Sequence, residues 1–514
     1  MSFPWLTVMG AVPLVGAVAV AALPKGRDAL AKQLAFAVSL VVLALTVGAA
    51  LAFDGSSTEP FQLVEQHNWI PAFGISYSLG VDGIALVLIA LAAVLVPVVI
   101  LAGWHDVEHS AGSGSVKGYF ALLLVLETMM IGVFASTDVF LFYVFFEAML
   151  IPMYFLIGRY GGAQRSYAAV KFLLYSLLGG LLMLASLIGL YVVSGQELGT
   201  GTFDFVALTN LSMDPNTQKL LFLGFFFAFA VKAPLWPFHT WLPDAAAAST
   251  PGSAVLLVGV LDKVGTFGML RYCLPIFPAA SDFYAPVIIA MCLVGIIYGA
   301  LVAIGQSDIK RLIAYTSISH FGFITLGIFV FTTQGQSGST LYMVNHGFST
   351  AALFLIGGFL ISRRGSNLVA DYGGVSTVAP ILAGLFLVAG LSSLALPGLS
   401  SFVSEFLVLV GTFARYPWVG AVATVGIILA ALYILLLYQR TMTGPVRPGV
   451  EKVTDLRTRE VVAIAPVIAI IIALGVFPKP VLDVVNPAVE RTMEQVGATD
   501  PPPAVAPVAE GNAP

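Results

Sequence analysis

Charged residues are scarce in this chain of 514 residues. Only 10% of the residues are Asp, Glu, Lys or Arg, whereas 59% are hydrophobic. A soluble domain carries about 25% charged residues, so this composition excludes a soluble globular protein and indicates a polytopic protein in a lipid bilayer. The formal net charge of −4 provides no basic surface, and we therefore expect no nucleic acid partner.

Cysteine is nearly absent as well. The only two cysteines, Cys273 and Cys292, lie in or beside apolar stretches. Two isolated thiols cannot hold an iron–sulfur cluster or a structural zinc ion, and a disulfide between them is not expected. The sequence also lacks a nucleotide-binding glycine loop and a metal-spaced Cys/His cluster. We therefore expect no metal, no cofactor and no redox chemistry on this chain.

Apolar stretches of about 20 residues, the length that crosses a bilayer, repeat along the chain. They predict an all-α membrane protein with fourteen transmembrane helices, and the first is a helix because no basic segment precedes it as in a signal peptide. The seventh stretch, 219–240, contains Pro234 and Pro237, and the twelfth, 380–414, contains Pro397-Gly398. Proline removes an amide donor and breaks a helix, so helices 7 and 12 are predicted to be discontinuous.

Lysine and arginine are distributed unevenly among the connections. The first connection holds Lys25 and Arg27, whereas the loops 54–81 and 332–339 hold neither residue type. Basic loops face the cytoplasm, so the alternation places both termini on the outer side.

Interrupted segments at matching positions in two halves indicate inverted repeats around an ion site. Helices 4–8 would form one five-helix repeat and helices 9–13 the other. The predicted divisions are 1–117 (helices 1–3), 118–274 (first repeat), 285–440 (second repeat), 441–478 (cytoplasmic connection and helix 14) and 479–514 (a largely disordered tail).

Four ionisable residues lie near the middle of apolar stretches: Glu147, Lys232, Lys263 and Glu405. A charge at the bilayer centre costs roughly 2.5–3.5 kcal/mol, so four would cost about 10–14 kcal/mol if summed. Such groups usually face a polar interior and move or bind ions. The alternatives are structural: a protonated carboxyl bonded to a neighbouring helix, or a lysine that reaches the interface.

Further polar residues add to this set. His320 and His346 lie inside apolar stretches, and imidazole suits a proton relay, although a lone buried histidine is more often a satisfied polar contact. Glu127, His239 and Asp262 are accessory candidates. Asp262 directly precedes Lys263, but sequence neighbours on a helix point about 100° apart, so an ion pair between them is not expected.

Six segments in order carry a family resemblance: FFEAMLIPMYFLIGRYGG, KAPLWPFHTWLPDA, LDKVGTFGMLRY, DIKRLIAYTSISHFGF, NHGFSTAALFLIGG and LPGLSSFVSEFLVLVG. Together they resemble the antiporter-like membrane subunits of respiratory complex I over nearly the whole chain. The resemblance implies a proton-translocating subunit of a bacterial NADH:quinone oxidoreductase. Such a subunit lies in the plasma membrane, while FMN, iron–sulfur clusters and quinone are bound by other subunits.

The resemblance also implies residue roles. Glu147 matches the family's glutamate of helix 5, Lys232 its paired lysine and Lys263 the connecting lysine of helix 8. His320 and His346 match relay positions, and Glu405 matches the terminal acid of helix 12. A glutamate there, rather than the lysine expected in the N and L sister subunits, favours the M type, with N and L as partners.

Two departures and two competing functions remain open. After Pro243-Asp244-Ala245 the family usually has a histidine and places a glutamate two residues on, whereas this chain continues with alanines, so a relay role for those positions is not expected. Asp262 stands where the family commonly has an apolar residue; it would either stabilise the charged form of Lys263 or bring in an extra carboxylate. The competing functions are a subunit of an Mrp-type cation/proton antiporter and a purely structural scaffold.

Overall fold

The computed structural model describes residues 3–55, 57–108 and 114–502, and nearly all of the regular structure is helical. The first half contains α1 (Trp5–Ala22), α2 (Asp28–Ala52), α3 (Gly83–Ala102), α4 (Val116–Ala135), α5 (Val139–Ala148), α6 (Leu150–Tyr160), α7 (Arg165–Leu198), α8 (Phe205–Thr209), α9 (Pro215–Lys232), α10 (Trp241–Ala248), α11 (Pro251–Leu256), α12 (Lys263–Gly268) and α13 (Leu274–Ile276). The second half contains α14 (Pro278–Ile304), α15 (Ile309–Phe329), α16 (Thr333–Arg364), α17 (Val375–Val378), α18 (Pro380–Ser393), α19 (Ser400–Arg415), α20 (Pro417–Met442), α21 (Thr458–Val476) and α22 (Lys479–Val496).

Twelve helical segments of the described chain are long and apolar enough to cross a membrane, judged by length and composition. Two of them are composite: α5 and α6 act as one segment, and so do α11 to α13. This finding confirms a polytopic helical membrane protein. The composite segment Pro251–Ile276, together with α15 and α16, is almost entirely buried and forms the centre of the bundle.

The two ends of the bundle differ in charge. At one end, which we call the basic end, Lys117 donates to the carbonyl oxygens of Ala21 (3.0 Å) and Leu23 (2.7 Å), and Arg363 pairs with Glu460 at 2.5 Å. The opposite end, which we call the hairpin end, carries an antiparallel hairpin of β1 (Gln62–Ile70) and β2 (Ile75–Val81). The hairpin joins the bundle through the Thr137 amide, which donates to Ser78 O at 3.0 Å.

Two segments of the bundle are interrupted. Helix α9 ends at Lys232, residues 233–240 are not helical, and α10 continues from Trp241. In the same way α18 ends at Ser393, and α19 begins at Ser400. Each gap contains proline, which cannot donate to the helical ladder. Both interruptions therefore lie at the proline motifs that predicted discontinuous helices.

Two features of the chain differ from the sequence predictions. The hairpin was not predicted, because its strands lie in a polar connection without a strong alternating pattern. The prediction of a largely disordered tail over 479–514 is wrong for Lys479–Val496, which forms the amphipathic helix α22 with Val485, Ala488 and Val489 buried. Burial of this apolar face against the bundle stabilises the helix despite its low overall hydrophobicity. Residues 503–514 lie outside the described residues.

Candidate functional site: a buried row of ionisable residues

Glu147 on α5 and Lys232 at the end of α9 face the same region of the bundle. The Lys232 ammonium lies 5.1 Å from the ring centroid of Phe146 and 5.7 Å from that of Phe172, and the side chain is buried. Within the described chain, Lys232 Nζ and Glu147 Oε1 have no hydrogen-bond partner. Both groups are therefore near one another without a bond that fixes either, which leaves them free to exchange partners.

The Glu147 carboxyl packs directly against a glycine of α7. A Cβ atom added at Gly180 would lie 1.6 Å from Glu147 Oε1 and 2.5 Å from its Cδ. Since no real Cβ atom approaches another atom so closely, only glycine at this position leaves room for the carboxyl group. The position of Glu147 therefore depends on Gly180.

Local contacts hold the interruption after Lys232. The carbonyl of Val231 accepts a hydrogen bond from the indole Nε1 of Trp241 at 2.9 Å. Farther along, Asp244 pairs with Lys171 of α7 at 2.7 Å and with Arg311 of α15 at 2.6 Å. The indole thus satisfies a carbonyl that the break leaves without a helical partner, as a membrane interior requires, and the two ion pairs tie α10 to α7 and α15.

Asp262 and Lys263 lie at the centre of the bundle, between two stretches of π-helix, Leu257–Leu261 and Met269–Cys273. Such stretches are rare and frequently occur at functional sites. Lys263 Nζ donates to the carbonyl of Val258 at 2.5 Å and lies 2.7 Å from His346 Nδ1 on α16. The nearby pair Gly259 and Gly347 permits this close approach, since a Cβ at Gly347 would lie 3.0 Å from Gly259 O.

A series of polar groups continues from this point toward Glu405. The imidazole rings of His346 and His320 have centroids 5.4 Å apart, and His346 Nε2 has no hydrogen-bond partner within the described residues. His320 Nδ1 lies 2.6 Å from the hydroxyl of Tyr342, and that hydroxyl donates to Glu405 Oε2 at 3.0 Å. On the other side of the ring, His320 Nε2 is 3.3 Å from the Tyr433 hydroxyl and 3.4 Å from Ser393 Oγ.

The single hydroxyl proton of Tyr342 fixes the chemistry of this series. When Tyr342 donates to a Glu405 carboxylate, its oxygen accepts from His320 Nδ1–H, and His320 Nε2 accepts from a hydroxyl. When Glu405 carries a proton, the carboxyl can donate to Tyr342, which then donates to His320. The second arrangement holds one proton more than the first: as a proton arrives on His320 Nε2, the Nδ1 proton passes to Tyr342 and the Tyr342 proton passes to Glu405, so the ring stays neutral.

The second interruption is tied to the same helix that carries Tyr342 and His346. Asn345 Nδ2 donates to the carbonyl of Ser400 at 2.5 Å and to Ser404 Oγ at 3.2 Å. Ser400 is the first residue of α19, so this amide ties the start of α19 to α16. The contact also fixes Glu405, one turn farther along α19, relative to α16.

Comparisons with known proteins place the chain in a family. A family model described as NADH:quinone oxidoreductase/Mrp antiporter, TM, matches residues 136–430. A Mycobacterium tuberculosis protein named NADH-quinone oxidoreductase subunit M is 57% identical over 534 residues, which cover 98% of this chain and 96% of that protein. The chain belongs to the NADH-quinone oxidoreductase subunit M family.

Solved structures show that this subunit M fold is shared more widely. A chain of respiratory complex I from Thermus thermophilus with bound NADH matches with a TM-score of 0.86 and 30% identity, covering 96% of this chain and 100% of that one. A chain of the Mrp complex from Dietzia sp. matches with a TM-score of 0.84 and 22% identity, over 96% and 100%. The second match shows the fold alone.

In this subunit M family member, the structure brings most of the predicted site residues into two groups. Glu147 and Lys232 form the first, and Lys263, His346, His320 and Glu405 form the second. The accessory candidates Glu127 and His239 are buried, but within the described chain neither makes a hydrogen bond to another side chain or to the backbone. His239 instead packs against Tyr298, with ring centroids 5.1 Å apart.

Tyr342, Tyr433 and Asn345 are polar residues of this subunit M site that the sequence interpretation missed. Each lies in a stretch that crosses the membrane, and a tyrosine there is compatible with ordinary apolar packing. The one available signal was spacing: Tyr342 lies four residues before His346, which puts both on one face of α16.

Proposed function

We propose that this chain is the proton-translocating M-type subunit in the membrane arm of a bacterial NADH:quinone oxidoreductase. Quinone reduction elsewhere in the complex would supply the energy. The observation that carries the proposal is the series Lys263–His346–His320–Tyr342–Glu405, in which titratable groups follow one another through the buried centre of the bundle. The high identity to a protein named subunit M supports the assignment to this complex.

The proposed path begins near the interruption between α9 and α10 at the cytoplasmic side. Lys232 changes its protonation as Glu147 approaches or withdraws, because a nearby carboxylate alters how strongly a buried lysine holds its proton. The proton then passes through Lys263, His346 and His320 to Glu405, and leaves near the second interruption. Moving one proton against 100 mV costs about 2.3 kcal/mol. A change of about two units in the pKa of the group that carries the proton would supply a comparable free energy.

We infer fourteen membrane crossings, with the interrupted segments α9–α10 and α18–α19 added to the twelve apolar ones. The first interrupted segment runs from the hairpin end to the basic end, and the second runs the opposite way. Opposite directions support two inverted five-helix repeats, helices 4–8 and 9–13. The excess of lysine and arginine supports assigning the basic end to the cytoplasm, with both termini outside the plasma membrane.

We further propose that the sister subunits N and L are neighbours in the complex, and that FMN, iron–sulfur clusters and quinone are bound by other subunits. This chain then contributes no redox step. The match to a chain of respiratory complex I from Thermus thermophilus supports such membrane-arm neighbours.

The deciding experiment measures proton translocation per NADH oxidised by the assembled complex in liposomes. Glu147→Ala and Lys232→Ala are expected to lower this ratio while the complex still assembles. An unchanged ratio with intact assembly would contradict the proposed function. Full translocation by a complex in which Glu147, Lys232, Lys263 and Glu405 are all replaced by neutral residues would contradict it as well.

The competing function is a subunit of an Mrp-type cation/proton antiporter, which the description of the family model also names and whose fold the chain shares. Purification of the tagged chain from its native membrane separates the two. Co-purification of flavin and iron–sulfur proteins supports the complex I subunit, whereas their absence together with other antiporter subunits would support the alternative.

A further inference from the structure

Asp262 is a buried carboxyl group that the path described so far does not use. Its side chain is 0% exposed, and neither carboxylate oxygen has a hydrogen-bond partner in the described part of the chain. Two other buried acids are directly paired: Asp82 lies 2.6 Å from Arg271, and Glu460 lies 2.5 Å from Arg363. Glu127 shares with Asp262 the lack of a hydrogen-bond partner in the described part of the chain. Asp262 therefore differs from the acids that serve to hold helices together.

Packing shows which way Asp262 faces. Gly265, three residues farther along, lies on the same helical face and meets the end of α9: a Cβ there would lie 2.5 Å from Phe229 O and 2.6 Å from Ala233 N. Ala233 directly follows Lys232. Asp262 thus faces the end of α9, and its carboxylate interacts electrostatically with the Lys232 ammonium as well as with that of Lys263.

Lys263 faces a different helix. Its Nζ lies 2.7 Å from His346 Nδ1 on α16, and Gly259, four residues earlier, packs against Gly347 of the same helix. Two adjacent residues therefore point to the two separate groups of the site. Asp262 points to the Glu147–Lys232 group, and Lys263 points to the group that ends at Glu405.

An isolated buried carboxyl is costly, because burial removes its hydration and no partner replaces it. Structural acids avoid this cost by pairing, and intramembrane acids without a fixed partner are usually functional. The π-helical stretches on both sides of Asp262 and Lys263 strengthen this interpretation, since they occur frequently at functional sites.

We propose that Asp262 is a proton-transfer residue that receives a proton from Lys232 and passes it to Lys263, and so joins the two groups of the site. In the first step an N–H bond of the Lys232 ammonium breaks and an O–H bond forms on the Asp262 carboxylate, which leaves a neutral amine and a neutral carboxyl. In the second step that O–H bond breaks as an N–H bond forms on a neutral Lys263. Lys232 Nζ is free to approach by rotation of its side chain, since no hydrogen bond fixes it.

This inference rests on the proposed function, and its test separates the two. The complex carrying Asp262→Asn, which keeps the shape but cannot exchange a proton, is reconstituted in liposomes beside Asp262→Glu and Lys232→Ala. We expect Asp262→Asn to lower the ratio of protons translocated to NADH oxidised to the value of Lys232→Ala, and Asp262→Glu to recover most of it. Gly384→Ala, where an added Cβ meets nothing within 4 Å, serves as the control and should leave the ratio unchanged.

Two patterns of results would overturn one claim or the other. An unchanged ratio in Asp262→Asn with a lowered ratio in Lys232→Ala refutes the role of Asp262 and leaves the proposed function standing. An unchanged ratio in both variants refutes the proposed function itself.

Infrared difference spectroscopy during turnover supplies a readout that a structural role would not move. A carboxyl C=O band that changes during turnover should shift in the complex carrying Asp262→Glu and disappear in that carrying Asp262→Asn. If Asp262→Asn does not assemble, the Asp262→Glu complex decides alone: a band at the unchanged frequency refutes the inference.

Discussion

At the scale of single residues, the hydroxyl of Tyr342 is the connection between His320 and Glu405. It lies 2.6 Å from His320 Nδ1 and 3.0 Å from Glu405 Oε2, within hydrogen-bond distance of both groups. A relay that passes through one hydroxyl is sensitive to the loss of one oxygen atom.

We therefore expect Tyr342→Phe to lower proton translocation per NADH to the level of a Glu405→Gln variant, because both break the same connection. The loss also leaves two buried groups without a partner, at a cost of about 1–3 kcal/mol each. The measurement is the translocation ratio of the complex in liposomes together with its melting temperature. Normal translocation in a folded Tyr342→Phe complex would show that the proton bypasses this hydroxyl.

A second residue-scale prediction concerns the space that Glu147 occupies. Gly180→Ala places a methyl group where the carboxyl now lies, so it should displace Glu147 and reduce translocation while NADH oxidation continues. Gly10→Ala is the matched control, since an added Cβ at that helical glycine meets nothing within 4 Å. Equal effects of the two substitutions would argue against a specific contact with Glu147.

The sequence reveals buried charged residues better than it reveals residues that act through hydrogen bonds. The buried charges could be predicted because a Lys or Glu inside an apolar stretch contrasts with every neighbour. Tyr342 and Asn345 could not, because their roles depend on which helices meet, and the partners lie 63 and 55 positions away in the chain. That Asp262 faces α9 can likewise be seen only from the structure, in which Gly265 packs against the end of that helix.

At the scale of helices and their interruptions, different side chains hold the two breaks. At the first, the indole of Trp241 donates to Val231 O, and at the second the amide of Asn345 donates to Ser400 O at the start of α19. The sequence predicted both breaks from proline. It predicted neither the side chains that cap them nor the π-helical stretches, which depend on the surrounding helices.

Trp241→Phe keeps the aromatic ring but removes the donor, so Val231 O loses its partner next to Lys232. We expect a loss of about 1–3 kcal/mol in stability, seen as a lower melting temperature of the purified complex. As a control, Trp418→Phe replaces an exposed tryptophan of α20 and should change the melting temperature much less.

The second break contains a residue in the left-handed region: Ala395 has φ of 62°. An L-residue there costs roughly 1–2 kcal/mol, whereas glycine adopts the conformation freely. Ala395→Gly should therefore raise the melting temperature of the complex. Ala389→Gly, inside the regular helix α18, should lower it, and a decrease in both variants would contradict the interpretation.

At the scale of the whole molecule, the basic end gathers charged groups from separate helices around Asp106. This carboxyl follows α3, and burial raises its pKa from 3.8 to about 6, although Arg459, His105 and Lys310 oppose the change. Glu460 acts in the same direction as burial. Because the folded protein disfavours the ionised form, stability falls as the pH rises from about 4 to about 6.

We expect Asp106→Asn to stabilise the protein above pH 6, by about 3 kcal/mol as judged from the change in pKa. The difference in melting temperature between Asp106→Asn and the original protein should grow between pH 4 and pH 6 and stay constant above that. A difference that does not depend on pH would show that the carboxyl is not responsible.

The hydrogen-bonded series from His320 to Glu405 has a consequence for the timing of transport. Once a proton has moved along it, each donor has become an acceptor, and the hydroxyl and imidazole groups must reorient before a second proton can follow. Tyr342 and His320 are both buried, so this reorientation requires movement within a packed interior. In the proposed relay, one proton therefore passes for each reorientation of the series, and a proton leaking back across the membrane would meet the same requirement.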